Sequence, residues 1–316
     1  MYVFHFLFLI LFVSSVGVEP DMVSEPGKQF AGEKPLMTQT TLPDTISFEL
    51  TDYNNIVVNA VLNETDTVRL MLHTAASGVT LIGSAGEKLK SIHYNDRDTV
   101  QSWGGASDSR YSRDNRLQIG RQQWEGVTIW ENEHSGQTTD GKVGLFMFAD
   151  RIVELDYEAR QLILYEELPA IDDSYTALDL TVENGLPFID GSIVVGDQVL
   201  SNRFLIHSGY SGAILLDDEF VAEHSLTNEL EITDSTILKD SYGNELKTLK
   251  AILPAFMVGY LSFDNIPVGF FDGAIGRQKM SVMGGDVLKR FNLIFDLKHA
   301  KLYLRRNGLV KTVFRE

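Results

Sequence analysis

The amino-acid sequence predicts an all-β protein built from two homologous halves, and three observations lead there. From Phe48 onward the chain runs as short stretches rich in Val, Ile, Leu, Phe and Thr, broken by Gly, Asn and Asp, which is the composition of strands and turns. Helical periods are scarce; the best candidates, Asp217 to Glu223 and Asp286 to Phe291, are short. The second half of the chain also repeats the first.

The repeat is clearest near the end of each half. GLFMFADRIVELDYEARQLILY (Gly144 to Tyr165) aligns without a gap on GGDVLKRFNLIFDLKHAKLYLR (Gly284 to Arg305), so that Gly144 meets Gly284, Asp156 meets Asp296, Leu162 meets Leu302 and Leu164 meets Leu304. Upstream, RLMLHTAASGVTLI (Arg69 to Ile82) parallels RFLIHSGYSGAILL (Arg203 to Leu216), again without a gap. His-Thr faces His-Ser at the same point after a hydrophobic strand. The halves span residues 45–168 and 176–308, joined by an acidic segment around Asp172-Asp173.

What precedes them reads differently. Residues 1–17 belong to an apolar stretch, MYVFHFLFLILFVSSVGV, with Ser15 and Gly17 spaced for signal-peptidase cleavage, and we read a secretory signal. No Lys or Arg precedes Lys28, so an uncleaved anchor is the competing reading, although the span falls short of the ~20 apolar residues of a membrane helix. Residues 18–44 hold four of the eight prolines with Glu, Thr and Ser and no hydrophobic period, as in a linker or pro-segment. No second apolar segment follows, so no membrane span is expected in the mature chain.

The 316 residues, 44% hydrophobic, suffice for one large domain or two ordinary ones. Asp and Glu outnumber Lys and Arg by 44 to 27, for a formal net charge of -17, and the sequence has no basic patch; nucleic-acid and anionic-membrane partners are not expected. The chain lacks Cys, so stability in a secreted or periplasmic setting rests on core burial. No phosphate-cradling glycine loop occurs, and no cofactor is expected.

The order within each half is a hydrophobic strand, a polar loop with Thr or Ser and small residues, a second apolar strand, a glycine-bearing hairpin, and a hydrophobic-hydrophobic-Gly segment before the closing strands. This order resembles the pepsin and retropepsin superfamily of aspartic proteases in its bilobal bacterial form. IHSGYSG (Ile206 to Gly212) is similar to the family's Asp-Ser-Gly or Asp-Thr-Gly loop with its first residue changed. VMGGDVLKRFNLIFDLKHAKLYLRRN (Val282 to Asn307) is similar to its closing segment. In the first half LHTAAS (Leu72 to Ser77) and DGKVGLFMF (Asp140 to Phe148) occupy the corresponding places. The resemblance covers residues 45–308 and implies a bilobal acid-protease fold with an interlobe cleft. It departs from the family where the chemistry should be: His73 and His207 stand at the positions of the two catalytic aspartates, and Ala75 replaces a glycine.

In the family reaction two nearby carboxyl groups share a proton, one acting on water as base while the other polarises the scissile carbonyl. A neutral imidazole has one donor and one acceptor in place of two acceptor oxygens, so the pair does not reproduce that pattern. The favoured reading is a pseudoprotease that binds an extended, peptide-like ligand in the cleft. Three alternatives stay open: a hydrolase using a His/His⁺ pair, an inactivated form of an aspartic peptidase, and a metal site for which the sequence names no third or fourth ligand.

By the same resemblance Thr74 and Ser208 lie under the loops, where the family uses these hydroxyls to tie the lobes together. Ser102 to Ser112, including Trp103, Gly104 and Gly105, sits where the family places a substrate-covering flap, an ordinary surface hairpin being the alternative. Gly209, Tyr210 and Tyr242 are further candidates for the cleft, Tyr210 as a wall. Gly209-Tyr210-Ser211-Gly212 does not complete the Gly-x-Ser-x-Gly elbow of a serine hydrolase. His93, His134, His224 and His299 lack metal-ligand spacing and are assigned to surface or hairpin positions. Asp156 and Asp296, in the closing strands, are assigned turn roles.

Overall fold

A computed structural model describes residues 42–315, apart from residues 77, 103–104, 240–244, 274–275 and 277. After β1 (Asp44–Ser47) the chain builds an eight-stranded sheet from β2 (Glu49–Leu50), β3 (Ile56–Leu62), β4 (Asp66–His73), β5 (Val79–Ile82), β6 (Asp96–Ser102), β7 (Gly105–Ile119), β8 (Gln122–Asn132) and β9 (Gly141–Gly144). Its spatial order is β2-β3-β4-β9-β5-β8-β7-β6. Three strands follow, β10 (Ile152–Asp156), β11 (Gln161–Tyr165) and β12 (Thr176–Asp179).

A second eight-stranded sheet then forms from β13 (Thr181–Glu183), β14 (Leu186–Val195), β15 (Gln198–His207), β16 (Ile214–Leu215), β17 (Ile232–Lys239), β18 (Glu245–Val258), β19 (Leu261–Phe271) and β20 (Ser281–Gly284). Its order, β13-β14-β15-β20-β16-β19-β18-β17, is that of the first sheet with every strand advanced by eleven, and the extra pairings β3–β7 and β14–β18 match as well. Strands β21 (Phe291–Asp296) and β22 (Lys301–Arg306) close the chain.

The repeat therefore extends to topology. It also fixes the third sheet, ordered β1-β11-β10-β21-β22-β12, in which β10 and β21, copies of one another, pair antiparallel through Val153↔Phe295, Glu154↔Ile294 and Leu155↔Leu293. Antiparallel pairing of two like strands is what a local twofold relation between the copies requires. One hydrophobic cluster runs from Ile56, Leu70 and Leu72 through Val153 and Leu155 to Phe204, Ile206 and Phe295, all fully or almost fully buried. A smaller cluster, including Leu205, Leu215 and Val282, lies beside it.

Of the two helix candidates, Asp218–Glu223 forms as expected, with the Asp217 carboxylate accepting from the Phe220 amide at 2.7 Å as its N-cap. The second is shorter than the expected Asp286 to Phe291. Only Gly285–Leu288 is helical, because Phe291 is already committed to β21 opposite Arg306. Between them Arg290 turns wholly inside, held by the buried Asp286 carboxylate at 3.2 Å and by the Leu309 and Thr312 carbonyls. The first strand begins at Asp44, ahead of the β pattern that starts at Phe48, and the Asp44 carboxylate is buried against Arg121 and Gln122. Among the described residues no helix is long and apolar enough to cross a membrane; residues 1–17 lie outside them.

Candidate functional site

Two equivalent strand ends meet at the candidate site. β4 ends at His73 and β15 at His207, and each runs parallel to the strand carrying the hydrophobic-hydrophobic-Gly motif, with His73 opposite Gly144 and His207 opposite Gly284. Beyond each histidine the chain reverses in a tight turn, the Ala76 amide donating to the His73 carbonyl and the Tyr210 amide to the His207 carbonyl, both at 3.1 Å. Small residues after the Thr or Ser permit that reversal at the edge of a packed sheet. The rings come side by side with centroids 4.5 Å apart and planes tilted by 59°.

Directly beneath them lies a reciprocal hydrogen-bond lattice. The Thr74 amide donates to Ser208 Oγ at 3.0 Å and the Ser208 amide to Thr74 Oγ1 at 2.9 Å. Each hydroxyl then crosses over, Thr74 donating to the Ile206 carbonyl and Ser208 to the Leu72 carbonyl, both at 2.6 Å. Thr74 and Ser208 are wholly buried, and all four bonds join segments more than 130 residues apart. This lattice sets the spacing of the histidines above it.

Burial is the main influence on the imidazoles. It holds the pKa of His73 well below the usual histidine range, helped by the neighbouring His207 and by the Lys142 cation; burial and Lys142 bring His207 down to about 4. Both rings are therefore neutral at neutral pH. His207 as a residue keeps some exposure, but its Nδ1, like that of His73, is enclosed and has no hydrogen-bond partner. Nε2 is the nitrogen that each ring presents.

The two rings are not held alike. His73 leans over Gly209, where a Cβ would stand 2.5 Å from its Nε2, so the glycine of the second loop makes room for the imidazole of the first. The matching position under His207 is Ala75. Among the described residues no three of His, Cys, Asp and Glu come together, so the pair has no third side chain of the usual ligand types beside it.

The loops also differ in length. Val79 opposes Val143, and Ile214 opposes Met283, so the loop after His207 is one residue longer than that after His73. This corrects the gapless alignment of 69–82 on 203–216. Tyr210 lies in the longer loop: its carbonyl accepts from the Gly285 amide at 2.7 Å, and a Cβ on Gly284 would meet its ring at 2.5 Å. Its ring is half-buried against Gly212 and Gly284, beside the smaller apolar cluster that Ala75 also touches, and burial pushes its hydroxyl up to about 12.

Gly105 opposes Ser102 where the β6–β7 hairpin closes. Trp103, Gly104 and Tyr242 lie outside the described residues. His93, His134 and His299 are exposed, and His224 is half-buried, edge-on to Phe220. The Asp156 and Asp296 carboxylates accept from the amides of Ala159 and His299, as turn-forming groups do.

Three residues beside the pair escaped the sequence reading. Asn54 and Asn55, in the turn before β3, donate to the carbonyls of Ser211 at 2.8 Å and Ser208 at 3.1 Å, and Lys289 Nζ donates to Asn54 Oδ1 at 2.9 Å. These tie the first half to the second loop on one side only. Lys142 is the third. Its signal was in the repeat, where it is the charged counterpart of the buried Val282.

No family model matches the chain, and no curated protein matches it. Among solved structures, the aspartic proteinase from Irpex lacteus matches with a TM-score of 0.56 and 13% sequence identity, over 86% of this chain and 100% of that one. The chain has a largely β-sheet fold similar to that of this aspartic proteinase.

Proposed function

We propose that this chain is an exported pseudoprotease: a two-lobed protein, with lobes at 45–168 and 176–308, that keeps the interlobe cleft of the aspartic-protease fold for binding an extended, peptide-like ligand and does not hydrolyse it. The supporting observation is the imidazole pair, 4.5 Å between centroids, seated on the Thr74–Ser208 lattice at the strand ends where the resemblance puts carboxylates. Export rests on the apolar sequence of residues 1–17.

The chemistry favours binding over hydrolysis. Peptide hydrolysis at such a site needs one group to take a proton from water and another to give one to the carbonyl or leaving amine. Two neutral imidazoles, each with Nδ1 enclosed, present two nitrogens where a carboxyl dyad presents four oxygens. A His/His⁺ pair would supply an acid, but burial and the Lys142 cation oppose that charge at neutral pH. An imidazole with a depressed pKa is also a weaker base.

The test restores the dyad with His73→Asp and His207→Asp, together with Ala75→Gly to return backbone freedom to the first loop. The unmodified protein should leave unstructured peptide libraries intact between about pH 3 and 8, while the restored one should cleave them with an acid optimum, since a carboxyl dyad works when singly ionised. Single restorations should do far less, because the two groups act as a unit. Cleavage by the unmodified chain, lost in His73→Ala and in His207→Ala, would make the histidines catalytic and end the pseudoprotease reading.

A further inference from the structure

We infer that the segment after β22, residues 308–315, is a strap that positions the second loop of the candidate site. Arg315 ties together two elements, the turn at residues 51–55 and the helical turn Gly285–Leu288, and both of these bond to the loop 208–212 behind His207. The inference goes beyond the pseudoprotease reading and stands whether or not a peptide binds.

The loop is held through its carbonyls. The Asn55 and Asn54 side chains donate to those of Ser208 and Ser211, and the Gly285 and Asp286 amides donate to those of Tyr210 at 2.7 Å and Gly212 at 3.2 Å. Asn54, Asn55 and Asp286 are buried. The turn that presents the asparagines is closed by its own bonds: the Thr51 amide donates to the Asn55 carbonyl, and the Thr51 hydroxyl accepts from the Asn55 amide. Whatever holds Asp52 and Tyr53 therefore holds the asparagines as well.

Residues 308–315 reach both elements. A short helical turn, Gly308–Lys311, is capped by the Asn307 side chain, and the chain then passes over Arg290, whose guanidinium lies 3.7 Å from the Phe314 ring centroid. Arg315 follows. Its backbone amide donates to Asp286 Oδ2 at 2.6 Å, while its guanidinium donates to the Asp52 carbonyl and stands 4.2 Å from the Tyr53 ring centroid. Lys289 closes the circuit, with Nζ 2.8 Å from Asp286 Oδ1 and 2.9 Å from Asn54 Oδ1. Asp286 is fully buried, so its charge depends on Lys289 and Arg290 at one oxygen and on the strap at the other.

The first half carries different residues at the matching places. At the offset of the closing repeat, Phe146, Ala149 and Asp150 stand where Asp286, Lys289 and Arg290 do. β13 and β14 join over Asn184-Gly185, with Glu183 opposite Leu186, whereas residues 51–55 separate Leu50 from Ile56 in the first half. Departures from the repeat in three separate segments thus converge on one loop. Contacts that served stability alone could lie anywhere on the surface; these meet behind His207.

Amide hydrogen exchange, read by NMR, separates positioning from stability. The Tyr210 amide, bonded to the His207 carbonyl, reports on the second loop, and the Ala76 amide, bonded to the His73 carbonyl, on the first. A chain ended at Val313 loses Phe314 and Arg315 but keeps the Leu309 and Thr312 carbonyls that hold Arg290. Exchange at Tyr210 should rise by about tenfold or more in that chain and by about threefold in Arg315→Ala, with Ala76 staying within about twofold of the unmodified protein. Thermal melting checks that both variants fold; if the shortened chain does not, Arg315→Ala decides alone. Unchanged exchange at Tyr210 would overturn the strap. So would a rise in the same ratio at Tyr210 and Ala76, because that reports lower stability of the whole fold.

Discussion

Lowering the pH should destabilise this protein through its two histidines before its carboxylates matter. In the unfolded chain a histidine titrates near 6.5; in the fold His207 titrates at about 4 and His73 also well below 6.5. Between these values the unfolded state binds more protons than the native one, so stability falls as pH falls. The contribution is fully present above about pH 6.5 and is lost progressively as pH drops through the folded value. At about 1.4 kcal/mol per pKa unit, the His207 shift alone amounts to about 3 kcal/mol. His73 adds to it in the same direction. A loss of that size should lower the melting temperature by roughly 6–12 °C in a domain of this class.

Two other influences act in the same experiment. The net charge of -17 shrinks toward the isoelectric point near 4.8, which relieves self-repulsion and opposes the effect. Carboxylates with lowered pKa values, Asp44 and Asp66 among them, lose their contribution only below about 4. The assay is therefore a difference: urea midpoints from pH 7.5 to 4 for the unmodified chain and for a His73→Gln, His207→Gln variant. The unmodified chain should lose about 3 kcal/mol or more relative to the variant across that window. Parallel curves would mean that the histidines titrate alike folded and unfolded, and the buried neutral pair would be refuted.

Two further outcomes follow from the same geometry. Gly209→Ala places a Cβ against the His73 ring and should cost roughly 1–3 kcal/mol by chemical denaturation, whereas Ala75→Gly, where no glycine conformation is in use, should cost no more than about 1 kcal/mol. Thr74→Val removes the donor to Ile206 and the acceptor for the Ser208 amide, leaving two buried groups unpaired; a loss of about 2–5 kcal/mol is expected, and a neutral result would show that the lattice does not hold the halves together.

Much of the fold was legible because the chain states it twice. A gapless match over Gly144–Tyr165 and Gly284–Arg305 pairs the four closing strands β10, β11, β21 and β22 at once, and the same eleven-strand offset recurs throughout the topology. Legibility failed where a local pattern had two readings. Asp286 to Phe291 has helical composition, but Phe291 sits in a strand pairing with Arg306, a long-range contact that no local window contains. The extra residue after His207 was hidden because both loops are short, end in Ser-Gly and lead into apolar strands, so a gapless alignment looked sound. At the candidate site the histidines were visible as a repeated oddity. Asn54 and Asn55 were not, since a turn asparagine bonding a distant carbonyl looks in sequence like one bonding its own turn.

The departures from the repeat have a common consequence for binding. A site with true twofold symmetry accepts an extended chain equally well in either direction, because each contact has an equivalent on the other side. The imidazoles and the lattice beneath them approach that symmetry, and alone they would give a ligand no preferred polarity. Each feature that breaks it is one-sided: the cation at Lys142 against Val282, the glycine at 209 against Ala75, the longer Tyr210 loop, and the Asn54–Asn55 brace on the second loop alone. A peptide laid across the pair would meet the Asn54–Asn55 brace and the Tyr210 loop on one side and their plainer counterparts on the other, so these one-sided features would give the bound chain a preferred direction.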